Sequence, residues 1–208
     1  MECYTLCKVF IDTNLFLGLY ETNTNTVEKI FGDIFKIKDS IIFVDQVSDE
    51  FLRNRDVLLE KQIKDSKKNF SQIHTTALIR SLEEYSELKK AKNVFVQKND
   101  GLIKKLNKIK DELETDIVYK KFYELYNDSA IKIYNRTDDI IKRAYERMLV
   151  GNPPDDSKKN TIRDQVIWET LISNLKNDLI FITFSTSPTG SENHLASFRF
   201  QNTFLFNV

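Results

Sequence analysis

The stretch Val9-Phe10-Ile11-Asp12-Thr13-Asn14 constrains this chain more than any other. A short β-branched and aromatic run stops at Asp-Thr-Asn and resumes as Leu15-Phe16-Leu17, which reads as a buried strand feeding straight into a helix. A strand of that kind belongs in an α/β sheet, and in open α/β sheets ligands gather beyond the strand ends. A carboxylate at that position is placed for chemistry. The competing reading is structural: Asp12 turns the chain or caps the next helix.

The rest of the pattern extends the α/β reading. Ser40-Ile41-Ile42-Phe43-Val44-Asp45 is a second β-type run, and the helical stretch between the two runs predicts parallel pairing through a crossover. Ser48 is expected to open a helix through Phe51 and Leu52. From about Asp56 to Val150 the chain reads as helical, rich in Lys, Glu, Leu and Ile and free of proline, with Asn99-Asp100-Gly101 as the clearest turn inside it. Spacings such as Leu102, Leu106, Ile109 and Ile140, Ala144, Met148 predict several antiparallel helices rather than one coiled coil. Gly151-Asn152-Pro153-Pro154 must end a helix, and Thr161 is expected to start another, with Val166, Ile167, Leu171 and Ile172 inward and Trp168 in the core. Asp178-Leu179-Ile180-Phe181-Ile182-Thr183 reads as a third strand, and Phe198-Arg199-Phe200 as an edge strand. The expectation is one α/β domain over residues 1–208, with 56–150 as a mostly helical insertion.

Charge is balanced overall, 31 basic against 31 acidic side chains, so only its distribution informs. Residues 1–50 carry 4 basic and 9 acidic groups, whereas 51–150 carry 22 and 16. An acidic segment beside a basic one suits a cation site flanked by a surface that attracts polyanions, although a solvated Lys-rich helix face gives the same count. The two cysteines, Cys3 and Cys7, match no zinc spacing and build no disulfide framework. No apolar run reaches the roughly 20 residues of a membrane span, and Met-Glu-Cys-Tyr carries no basic leader region. The expectation is a cytoplasmic protein with no membrane partner.

Three carboxylates sit at element boundaries rather than in charge runs: Asp12 after the first strand, Glu50 in the helix after the second, and Asp164 in the helix before the third. With the three strands parallel, all three project over one edge of the sheet. Crowded carboxylates repel, and a bound divalent cation offsets the cost. Oxygen ligands with no His or Cys point to Mg²⁺ or Mn²⁺ rather than zinc. Each acid also has a local role open to it: Glu50 as a favourable charge in a first helical turn, and Asp164 in a capping box with Thr161.

The order Val-Phe-Ile-Asp-Thr-Asn, then Val47-Ser48-Asp49-Glu50-Phe51-Leu52-Arg53-Asn54-Arg55, then Gly-Asn-Pro-Pro and Ile162-Arg163-Asp164-Gln165-Val166-Ile167-Trp168-Glu169, resembles the PIN-domain nucleases. The nearest likeness is to the larger PIN-like branch with a helical insertion, over roughly 8–55 and 138–184. The resemblance implies a three-layer core: a short parallel sheet, helices on both faces, and the insertion. It implies metal-dependent cleavage of single-stranded RNA to a 5′-phosphate and a 3′-hydroxyl, with DNA left open as a substrate. Asp12, Glu50 and Asp164 would hold Mg²⁺ or Mn²⁺, Asn14 would orient a ligand carboxylate or a bound water, and Arg53 and Arg55 would grip phosphate oxygens. A homodimer is compatible with all of this.

The chain departs from the family at one place. Where members commonly carry Thr-x-Asp-x-Asp-Phe, it has Thr183-Phe184-Ser185-Thr186-Ser187-Pro188, so serines stand at the acid positions. Asp155, Asp156 and Glu192 are the acids available to compensate. The departure keeps a second reading alive, a degenerate PIN-like module that binds nucleic acid or a protein without cutting. A truncated or altered C-terminus would account for it too. Other chemistries find no support: there is no phosphate-cradling glycine loop, no nucleophile motif, and His74 and His194 stand alone.

Overall fold

Apolar run, polar break and amphipathic helix repeat along the chain, and the computed structural model turns that rhythm into alternating strands and helices. It describes residues 7–68, 76–152, 162–176, 178–186 and 193–200, the last two stretches from 184 onward by backbone alone. In chain order come β1 (Lys8–Ile11), α1 (Thr13–Gly18), α2 (Thr24–Lys36), β2 (Ile41–Val44), α3 (Asp45–Lys68), α4 (Ala77–Arg80), α5 (Glu83–Asp111), α6 (Ile117–Tyr126), β3 (Lys132–Tyr134), α7 (Asp138–Leu149), α8 (Arg163–Asn174), β4 (Leu179–Thr186) and β5 (Asn193–Phe200). The chain divides into two units, Met1–Arg53 with Lys121–Val208, and Asn54–Lys120.

The first unit carries the sheet, in the order β3-β2-β1-β4-β5. β1, β2, β3 and β4 are parallel and β5 is antiparallel to β4. The register pairs Phe10 with Ile42 on one side and with Phe181 on the other. All four residues of β2 are buried, which requires cover on both faces of the sheet. Side chains alternate between the faces. Phe43 turns into an aromatic cluster in which Phe122 lies 4.1 Å from Phe51 and 4.9 Å from Phe16, centroid to centroid. Phe10 points the other way and meets Phe181 at 4.9 Å. Each fully buried ring of this kind contributes about 1.5–3 kcal/mol relative to exposure. The architecture is the expected α/β one.

Several local expectations change. β3 is a strand the sequence pattern did not mark, and it lies inside the stretch expected to be helical. The expected insertion over 56–150 overlaps the second unit only as far as Lys120, and residues beyond it carry β3 and α7 of the first unit. Asn99-Asp100-Gly101 is no turn but part of the interior of α5. α7 does end where glycine and prolines demand it. Gly151 takes φ +69°, Asn152 N–H donates to the Arg147 carbonyl at 3.1 Å and Gly151 N–H to that of Met148 at 3.2 Å, a Schellman closure. Pro153, Pro154 and Thr161 lie outside the described residues. The edge strand expected at 198–200 is the end of the longer β5.

In the second unit, the part of α3 from Asn54 runs antiparallel to α5. Lys110 pairs with Glu60 at 2.6 Å and Asn99 donates to the Ser66 carbonyl at 3.0 Å. Leu59, Ile63 and Val118 are its buried apolar residues, and no residue of α5 is buried. At its centre Arg55 and Asp116 form an ion pair at 2.7 Å, with side chains 1% and 2% exposed. Among the described residues, no helix is long and apolar enough to cross a membrane.

Candidate active site

β1 delivers Asp12 to the end of the sheet. Its backbone N–H donates to the Ile182 carbonyl of β4 at 2.8 Å, so Asp12 is fixed by the same ladder that holds β1 and β4 together. It occupies the N-cap position of α1 but its side chain makes no capping hydrogen bond. Instead the carboxylate accepts from the Thr183 hydroxyl at 2.7 Å and from the Asn14 amide at 3.0 Å, both on Oδ2. The structural role weighed for Asp12, capping the helix, is therefore not the one it plays.

β2 and β4 bring the other two acids into the same electrostatic field. α3 begins at Asp45, directly after β2, so Glu50 lies in its second turn, past the reach of the favourable helix-end charge. Asp164 lies in the first turn of α8, whose N-cap Ile162 makes no side-chain capping bond; Thr161, the other half of the expected capping box, lies outside the described residues. Burial pushes the Asp12 carboxyl above its ordinary pKa, the Thr183 hydrogen bond pulls it down, and the charge of Asp164 raises it again. Burial also raises Glu50, reinforced by the charges of Asp12 and Asp164 and opposed by Arg163 and Arg53. The two half-buried acids thus each feel Asp164, and Glu50 feels Asp12.

This mutual influence falls short of a formed coordination sphere. Among the described residues, no three His, Cys, Asp or Glu side chains stand close enough to hold an ion as they are. Asp164 is exposed while Asp12 and Glu50 are half-buried. The donor chemistry fits a hard cation, with carboxylate oxygens alone and no sulfur or imidazole among the three.

The remaining expected site residues divide. Asn14 is exposed and orients Asp12. Arg53 is exposed one turn beyond Glu50 and acts on its charge. Arg55 is a correction. Its Nε donates to Asp116, Nη1 to Asp56 at 2.8 Å and to the Lys110 carbonyl at 3.2 Å, and Nη2 to the Ile109 carbonyl at 2.5 Å. A guanidinium so buried and so occupied is structural and has no reach toward a phosphate. Trp168, expected in the core, is half-buried, and its neighbour Glu169 ties α8 to α7 through Arg147 at 2.6 Å.

Three residues of the neighbourhood were not among the expected site residues, and two of them, Thr183 and Arg163, lie within the motifs already quoted. Thr183 opens the stretch matched to the family's Thr-x-Asp-x-Asp pattern, and its hydroxyl turns out to hold Asp12. Arg163 adjoins Asp164 within a quoted motif. Arg136 had no signal; it is held by Asp45 at 3.2 Å and by Asp49. Asp155, Asp156, Ser187, Glu192 and His74 lie outside the described residues, and of Ser185 and His194 only the backbone is described.

No curated protein and no solved structure matched the chain. A family model described as PIN domain matches residues 9–187. With a four-stranded parallel core and a match over most of its length, the chain belongs to the PIN-domain family.

Proposed function

We propose that the chain is a metal-dependent endoribonuclease that cleaves single-stranded RNA in the cytoplasm, with Asp12, Glu50 and Asp164 holding Mg²⁺ or Mn²⁺. The observation that carries the reading is Asp12: it makes no side-chain helix cap, accepts hydrogen bonds from two side chains, and has its charged form disfavoured by burial and by the charge of Asp164. Such an arrangement costs stability unless a cation offsets it. Bound there, a divalent ion supplies an acidified water and counters charge developing on the phosphate. The chain's own residues do the rest. Thr183 and Asn14 fix the Asp12 carboxylate, as outer-shell partners do in metal sites. Glu50 presents a second oxygen donor from a rigid helix, and Asp164 closes the set from the start of α8. Arg53 attracts the strand's phosphates from beside the acids.

The serines at 185 and 187 favour a second reading, a degenerate PIN-domain module that binds nucleic acid or a protein partner without cleavage. One experiment separates the two. Purified chain is incubated with single-stranded RNA, and in parallel with single-stranded DNA, in Mn²⁺, against Asp12→Asn. Loss of an outer-shell partner alone costs about 10–100-fold, so loss of Asp12 should lower cleavage by at least about 100-fold. Equal, metal-independent background in both samples would leave only the binding module.

A further inference from the structure

A pocket of ≈ 340 Å³ opens in the first unit between the start of α3, α7 and the start of α8, and none of the three acids lines it. Arg53, Arg136 and Arg163 reach it, and among the described residues Asp49 is the one carboxylate that lines it. The arginines differ in how they are held. Arg136 is pinned by Asp45 and Asp49 and forms a fixed wall. Among the described residues, no hydrogen bond or ion pair engages the guanidinium of Arg53 or Arg163. Both nevertheless act on the charge of Glu50, so the pocket's arginines stand within electrostatic reach of one of the three acids. Gln46, buried, donates to the Arg163 carbonyl at 3.0 Å and so fixes the start of α8 that carries Arg163. Ile141, Ile162 and Val166 supply an apolar side.

We propose that this pocket holds one nucleotide of the single strand beside the cleaved bond, its phosphate on Arg53 and Arg163 and its base against Ile141, Ile162 and Val166. The inference rests on the nuclease reading above. Two free guanidiniums suit the single charge of a phosphodiester, and Arg is the residue that meets phosphate oxygens in a fork. With Arg136 committed to Asp45 and Asp49, Arg53 and Arg163 are the described lining cations left for anionic oxygens, which suits one internal phosphodiester and not a di- or triphosphate end. A volume near the low end of small-molecule sites accommodates one nucleotide. Among the described residues the lining holds no aromatic ring on which a base would stack, so the pocket sets the position of the strand with little choice of base.

The test uses the full chain carrying Asp12→Asn, in EDTA, so that binding is read without cleavage. A short labelled oligouridine is titrated at several salt concentrations into this protein and into versions also carrying Arg53→Gln with Arg163→Gln, the two corresponding Lys substitutions, or Lys29→Gln on α2 as a control. The Gln pair should weaken binding about tenfold and make the salt dependence shallower by about one unit of slope. The Lys pair should keep the slope while losing part of the affinity. A Gln pair that binds like the Lys29→Gln control overturns the pocket, whatever the parent does to RNA in Mn²⁺. If the parent leaves RNA intact while the Gln pair loses binding, the nuclease reading fails and the pocket stands.

Discussion

Arg53 and Arg55 stand two positions apart in one string of sequence, and burial alone separates what they do. Arg55 neutralises Asp116 inside the second unit, while Asp116 also accepts the backbone N–H groups of Val118 and Tyr119 at the start of α6 at 2.9 and 3.0 Å. Replacing Arg55 by Ala strands a buried carboxylate, and removing one partner of a buried pair typically costs about 3–5 kcal/mol. Arg55→Ala should therefore lower the urea midpoint sharply while RNA affinity per folded molecule stays at the parent value. Unchanged stability with weakened RNA binding would return Arg55 to the substrate. Sequence could not tell the two arginines apart, because their difference lies in what surrounds them. Asp12 was legible for the opposite reason: an acid that interrupts a β-branched run marks its own place at a strand end, whatever the distant neighbours are.

Strands and helices were legible in proportion to their length and periodicity. β1, β2 and β4 announced themselves as apolar runs, and their parallel pairing followed from the helices between them. β3 did not, since Lys132-Ile133-Tyr134 is three residues long and half-exposed, too short for any period to emerge. α5 hid its continuity behind Asn99-Asp100-Gly101, a turn-like triplet. The helix formers on both sides override it, and Asn99 uses its side chain on the Ser66 carbonyl instead of on a local turn. Gly101 is then a weak point with no compensating use. A Cβ built there meets nothing within 4 Å, and its backbone is not in the left-handed region. Gly101→Ala should stabilise the chain by about 0.5–1 kcal/mol, read as a higher urea midpoint with no change in slope. A destabilised variant would mean that α5 is interrupted at that position after all.

The stability of the folded chain and the function proposed for it pull against each other through the same carboxyls. A carboxyl whose pKa is raised on folding binds its proton more tightly in the native state. The contribution of Asp12 and Glu50 to stability therefore declines as pH rises from their unfolded values through their folded ones, and the deficit persists at neutral pH. Asp12→Asn removes one of these charges while leaving an oxygen to accept from Thr183. In EDTA it should melt above the parent at neutral pH, and the gap should narrow as pH falls into the carboxylate range, where the parent's Asp12 is itself neutral. Mn²⁺ should reverse the order. A cation that binds only the folded parent adds about 2.7 kcal/mol at a hundredfold excess over its Kd, and the variant that has lost a ligand gains far less. Melting curves of both proteins, with EDTA and with Mn²⁺, at one acidic and one neutral pH, read all four corners of this scheme. A parent that gains nothing from Mn²⁺ over the variant would detach Asp12 from any cation, and a variant less stable than the parent in EDTA would make Asp12 a structural residue.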